Sequence, residues 1–349
     1  MSLDADDREV RDDVGLAPEE PNGKANETAR DDNAQRTAAP GSTGHDAAPE
    51  LQDRTIIMLL QGVDDEPDDQ LTRSVVYDII NQLGGICPGS GKQNRVDIWL
   101  ESPGGGAHAA FKLMVYLRSR FRIVNVVIPD YAKSAATLLT LGADAIFMAP
   151  CAELGPLDMQ QSREGETRSR SALDTANSVE NLFHRAVANA IIGGGNVLQQ
   201  TRLTRETTLK IVLDFSAAFY HPLVRQLDPL AIYSASSGLR VTLDYGVRLL
   251  EARGISRDRA REQIEALVSG YPTHGFIIER SEAERSFKLP VRHMEDYDLR
   301  EDICALYGAQ QQAQTNIVKV TTLFELMKEK EEHGGDKAGD EPATEGDVD

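Results

Sequence analysis

The chain has 349 residues, 40% of them hydrophobic and 27% charged, and 37 basic against 56 acidic side chains give a net charge of −19. That composition supplies a packed core and excludes a globally disordered chain. The negative balance argues against a general nucleic-acid binder, which must neutralise phosphates.

The charge is concentrated at the ends. Residues 1–50 hold 13 acids and 5 bases, and residues 328–349 hold 9 acids and 3 bases, so the body between them is nearly balanced. The first stretch has no aromatic residue and few large aliphatics, too little apolar surface to offset the entropy of ordering it. Disordered acidic tails are therefore expected at 1–50 and 328–349, around one domain at 51–327. Cys87, Cys151 and Cys304 have no close pairing, which predicts reduced thiols and a cytoplasmic protein. The opening MSLDADDREV is acidic where a secretory leader needs a basic start, and no apolar run reaches the roughly 20 residues of a membrane span. No integral membrane segment is expected.

In chain order, Thr55–Leu60 is a short apolar run ending at Gly62, the pattern of a buried strand. Residues 68–83 place Leu71, Val75, Val76, Ile79, Ile80 and Leu83 at helical spacing, with Gly84-Gly85 as the stop. A polar loop at 89–94 leads to a second strand, Val96–Leu100. Gly104–Arg120 reads as a glycine-started helix, Ile123–Ile128 as a third strand, Ser134–Leu141 as a short helix and Ala145–Met148 as a fourth strand. Strands and helices alternating over short connections predict a parallel α/β sheet. Beyond Ser171 the pattern is mostly helical, at 171–192, 204–220, 240–252, 257–269 and 311–330, and Gly193-Gly194-Gly195 reads as a helix stop.

Two segments carry chemistry. Ser102-Pro103-Gly104-Gly105-Gly106 follows the second strand, at the carboxyl edge where α/β sheets bind ligands. Glycines there let backbone N–H groups approach a bound oxygen, although a tight turn needs them equally. Lys133-Ser134-Ala135-Ala136-Thr137 follows the third strand and opens a helix. Ser134 is either a nucleophile at the positive end of the helix, beside the Ala135 N–H, or a helix cap.

Together, SPGGG, KSAAT, LGADAIFMAP and ELGPLDMQ resemble the Clp-fold serine proteinases, which include the Clp proteolytic subunit and signal peptide peptidase A. The resemblance is densest over residues 95–160. It implies a ClpP/crotonase-like spiral of βαβ units with a mostly helical C-terminal portion, Ser134 as nucleophile, and Gly105 and Ala135 as oxyanion-hole donors. It also implies Gly104 and Gly106 at the substrate, a peptide or protein substrate, no cofactor, and a homo-oligomer; His108, one turn into the glycine-started helix, either lines the substrate pocket or packs there.

The Clp histidine has no counterpart near Leu157-Asp158-Met159, and residues 135–209 hold no lysine for a signal-peptidase dyad, while helix geometry turns Lys133 away. The chain is more similar to the SDH (serine dehydrogenase) proteinases, whose ELGP-[IL]-D and Tyr-Pro-[ST]-His segments match Glu153–Asp158 and Tyr271–His274. That implies His274 as base and Asp158 as its orienting acid. Asp228 and Asp244 stay open as acids and His221 as base; His184, inside a helix, reads as structural. An acyl-CoA enzyme of the crotonase kind and an inactive Clp-fold scaffold are the competing functions. No H-E-x-x-H or cysteine pair marks a zinc site. The bases at Arg168–Arg170 and Arg253–Arg261 read as solvated surface.

Overall fold

Burial decides which apolar runs become central strands. In the computed structural model Arg54–Leu60 (β1) is buried at all seven positions, and Gln93–Glu101 (β2) and Phe121–Ile128 (β3) are buried over most of their length. Runs buried on both faces belong to a parallel sheet. The structure describes residues 54–63, 68–86, 92–158, 160–161 and 170–334. The tail at 1–50, Cys87, the first half of the loop at 89–94 and Arg168 lie outside them.

Helix Arg73–Ile86 (α1) connects β1 to β2, and Ala107–Arg120 (α2) connects β2 to β3. After the two-residue strand Tyr131–Ala132 (β4) and helix Ala135–Thr140 (α3) comes Ala145–Met148 (β5). Strands β1, β2, β3 and β5 run parallel, with Ile57 opposite Ile98, Ile98 opposite Val126 and Val126 opposite Ile146. The two-residue strands Glu153–Leu154 (β6), Gln160–Gln161 (β7) and Arg170–Ser171 (β8) lead to a helical arm. Its helices are Ala172–Gln200 (α4), Arg205–Val224 (α5) and Pro229–Ala252 (α6), and Arg257–Ser269 (α7) follows.

The chain then returns to the sheet, which the sequence pattern did not foresee. Ile278–Glu279 (β9), Arg280–Arg285 (α8) and Val291–His293 (β10) are followed by Arg300–Ala313 (α9), Ile317–Thr322 (β11) and Leu323–Gly334 (α10). Strand β10 adds in parallel beside β5, and β11 adds antiparallel to β1, giving the order β10-β5-β3-β2-β1-β11. The expected helix at 311–330 is thus a helix end, an edge strand and a new helix. Ile317, Val318 and Val320 are β-branched residues that pair with β1 rather than continue a helix. The last helix carries order to Gly334, past the expected tail boundary at 328; residues 335–349 lie outside the described part.

Two glycine readings change. The helix expected from Gly104 begins at Ala107, because Gly104 and Gly105 hold φ of +109° and +135°. Gly193–Gly195 does not stop a helix but lies inside α4, and α6 begins at Pro229 rather than at 240. Under the sheet, Asp97 is 0% exposed yet fully partnered. It pairs with Arg54 and Arg95, and Asn125 Nδ2 and the Tyr297 hydroxyl donate to it, each at 2.9 Å. A buried carboxylate survives when its lone pairs are satisfied in this way.

Candidate active site

A second, three-stranded sheet assembles the site. Strand β6 pairs in parallel with β4, setting Ala132 opposite Leu154, and antiparallel with β9, setting Leu154 opposite Ile278. Ser134 lies two residues beyond Ala132, Asp158 four beyond Leu154, and His274 four before Ile278. Because β9 runs opposite to the others, its beginning lies at the end of β4 and β6. The register therefore gathers residues 134, 158 and 274, distant in sequence, at one end of a small sheet.

The serine occupies a strained turn. Ser134 has φ 50° and ψ −114°, a conformation that costs a non-glycine residue about 1–3 kcal/mol. Its neighbours hold it there: Lys133 N–H donates to the Ser102 carbonyl at 3.0 Å and Ala136 N–H to the Lys133 carbonyl at 2.8 Å. The hydroxyl makes no capping bond to α3, which removes the helix-cap explanation for this side chain. Gly104 packs directly on it. A Cβ on Gly104 would lie 2.7 Å from the Lys133 carbonyl and 2.9 Å from Ser134 Cβ. Gly105 is fixed to the segment before α1, where Leu71 N–H donates to the Gly104 carbonyl and Gly106 N–H to the Leu71 carbonyl. A Cβ on Gly105 would strike Leu71 oxygen at 2.6 Å. Among the described residues the N–H groups of Gly105 and Ala135 have no acceptor.

Three side chains that sequence reasoning passed over hold this geometry. Ser102 donates to Gln61 Oε1 at 2.6 Å while its hydroxyl oxygen accepts Gly104 N–H at 3.1 Å. Thr137 donates to the Ala132 carbonyl at 2.7 Å and accepts Gly155 N–H at 3.1 Å, locking β4 to the loop after β6. Tyr271 donates to Glu282 Oε1 at 2.7 Å and packs its ring at a tilt against Phe276, pinning the turn that carries His274. Ser102 and Thr137 lie inside the quoted motifs; nothing local distinguishes their hydroxyls from solvent-facing ones.

The ring of His274 is half-buried beside Asp158 and Lys133. Burial, aided by the Lys133 charge, holds its pKa below the ordinary histidine value, while Asp158 opposes the shift. The ring is thus neutral near pH 7 and able to accept a proton. Nδ1 is buried without a hydrogen-bond partner, and no hydrogen bond joins the ring to Ser134. Nor is the Asp158 carboxylate given over to the ring: it accepts from the Ser171 hydroxyl at 2.6 Å and from Leu173 N–H at 3.0 Å, at the start of α4.

The other residues considered are engaged elsewhere. Lys133 Nζ pairs with Glu153 and lies near the Leu154 carbonyl. His108, the second residue of α2, is exposed and hydrogen-bonds the Tyr245 hydroxyl of α6 through Nδ1 at 2.8 Å. His221 is exposed on α5, and His184 is exposed on α4 beside Glu180. Asp228 caps α6 and Asp244 pairs with Arg248. Among the described residues no cluster of three or more His, Cys, Asp or Glu side chains could hold a metal ion, and no helix is long and apolar enough to cross a membrane.

Residues 86–177 match the family model of the ClpP-like SDH-type serine proteinases. The matched segment contains the glycine turn, the serine elbow and Asp158, while His274 lies beyond it. Two uncharacterized proteins of Methanocaldococcus jannaschii, MJ0137 and MJ1495, are similar to the chain at 38% identity over 69 residues and 37% over 65. Those matches cover 20% and 19% of this chain and only 24% and 22% of the relatives' own lengths. Among solved structures, a mutant of the 1510-N membrane-bound stomatin-specific protease aligns with TM-score 0.37 and 13% identity over 66% of this chain and 78% of that one. The ClpP protease catalytic domain from Plasmodium falciparum aligns with TM-score 0.35 and 11% identity over 68% and 84%.

Proposed function

We propose that the protein is a serine peptidase that works through an acyl-enzyme on Ser134. The observation that carries this reading is the strained Ser134 turn, whose hydroxyl caps nothing and whose neighbours leave two N–H groups without acceptors. Backbone strain of this kind clusters where function outweighs stability.

In the reaction, His274 takes the Ser134 proton as the hydroxyl attacks a peptide carbonyl. The carbonyl oxygen, becoming negative, is held between the N–H groups of Gly105 and Ala135. The amine leaves with the proton from His274, and water, deprotonated by the same ring, releases the acyl group. The contact between Ser134 and His274 forms when substrate closes the site, since catalytic hydrogen bonds commonly tighten only in the complex. Asp158 bears on His274 through its charge and its main chain, and Gly106 lines the approach to the turn. The absence of a preformed bond between Ser134 and His274 favours the scaffold alternative, in which the site is inert.

A fluorophosphonate probe read by intact mass separates the two. The expected outcome is one label per chain on Ser134, none in Ser134→Ala, and labelling slowed about 100-fold or more in His274→Ala. Folded protein that takes no label overturns the peptidase reading.

A further inference from the structure

Helices α4 and α5 span 29 and 20 residues yet between them bury only Ala172, Thr208 and Val212. Helices in proteins draw most of their stability from burying an apolar face, and α4 also carries three consecutive glycines, the weakest helix formers after proline. Sixteen of the twenty-three large apolar side chains exposed among the described residues lie between Val179 and Tyr233. They are ordered. On α4, Val179, Phe183, Val187 and Ile191 recur at every fourth position, and on α5 Ile211, Phe215, Phe219 and Leu223 do the same. Each set forms a ridge along its helix.

The α5 ridge borders a groove of about 420 Å³, with Ile211, Phe215 and Phe219 on one side and Asn189, Gly193 and Val197 of α4 on the other. A Cβ on Gly193 would come no nearer than 4.0 Å to Val212, so the glycine leaves open space that a larger side chain would fill.

We propose that this face is the contact between two copies of the chain, the aromatic ridge of one seated in the glycine-floored groove of the other about a twofold axis. A ridge and a groove side by side on one surface are self-complementary under that symmetry. The size fits: the sixteen side chains leave on the order of 1,500 Å² of apolar area in water, and one face of the arm matches the ~800 Å² that each partner of a stable pair buries. The largest apolar patch on an ordinary monomer is about 300–600 Å². The charge pattern fits as well. Neither Ala186–Gln200 nor Phe215–Val224 contains an Asp, Glu, Lys or Arg, so two copies meet without like charges. A membrane surface would instead favour an excess of Lys and Arg, whereas residues 172–224 hold four bases and four acids. The acidic stretch 1–50, with no aromatic residue and few large aliphatics, is a poor match for the groove. This assignment stands apart from the hydrolytic reading, and either can fail alone.

Sedimentation velocity of the full chain over a micromolar series tests it, alongside flotation with vesicles of phosphatidylcholine and phosphatidylserine. Wild type is expected as a dimer or a larger even-numbered assembly that does not float. Phe215→Glu with Phe219→Glu weakens self-association about 100-fold, and Gly193→Leu, which fills the groove without adding charge, about tenfold, both with unchanged far-ultraviolet circular dichroism. A monomeric wild type, an assembly indifferent to both variants, or a monomer that floats with the vesicles overturns the proposal.

Discussion

His274 carries its environment in its protonation. His274 keeps its proton affinity low because the ring is half-buried near the Lys133 ammonium, with Asp158 only partly compensating. A base with a lowered pKa stays competent into mildly acid solution. The acid limb of kcat/KM, or of probe labelling, is therefore expected below the ordinary histidine value of 6.5, moving up toward it in Lys133→Met. A limb above 6.5 would mean that another group, or a more exposed ring, takes the proton. The same shift acts on stability: the folded state prefers the neutral ring, so this contribution is complete above the ordinary value and is lost as pH falls below it. Ser134 depends on its glycine neighbours rather than on charge, since any side chain at residue 104 would enter its space.

At the scale of elements, Asp158 joins the site to the first turn of the helical arm. Ser171 caps α4 by accepting Asp174 N–H at 3.0 Å, and its own hydroxyl donates to Asp158. Asp158 thus tethers the arm while its main chain faces His274. Ser171→Ala is expected to lower stability by about 1 kcal/mol in urea melts, the ordinary cost of a lost cap. It should also slow labelling of Ser134 by less than about tenfold, because Asp158 keeps Leu173 N–H as a partner. Stability lost with labelling unchanged would show that the arm's first turn does not hold Asp158 in place for the base.

At the scale of the whole molecule, the carboxylate that ends β2 makes stability depend on pH. Glu101 is 1% exposed, with Oε2 unpartnered and Asp130 nearby, and burial with that like charge pushes its pKa up to about 8. A carboxyl whose folded pKa is raised stabilises the fold fully below its unfolded value, and that contribution is lost as pH climbs through the folded value. Wild-type stability is therefore expected to decline between about pH 5 and pH 9, whereas Glu101→Gln, neutral throughout, does not share the decline and is roughly 3–5 kcal/mol more stable than wild type at the alkaline end. Parallel urea melts across that range check it; identical slopes for the two proteins would place the Glu101 charge in water. Asp97 is the contrasting case, a buried carboxylate that two arginines, Asn125 and Tyr297 hold in place.

Local pattern was sufficient for β1, α1, β2, β3 and β5, where strands buried on both faces and helices buried on one leave distinct periodicities. It also marked the glycine turn and the serine elbow, because both are contiguous motifs whose backbone needs particular residues. Its reach ended where a residue's state depends on a distant partner. Gly193–Gly195 reads as a stop by propensity alone, yet α4 runs through it to Gln200. Strands β9, β10 and β11 are two to six residues long and exist because a sheet edge waits for them. Tertiary structure alone decided that β9 runs against β6, and so brings His274 beside Asp158 at the end of the sheet that bears Ser134. Hydrogen-bond register between strands over a hundred residues apart is a property of the folded pair, and no single segment encodes it.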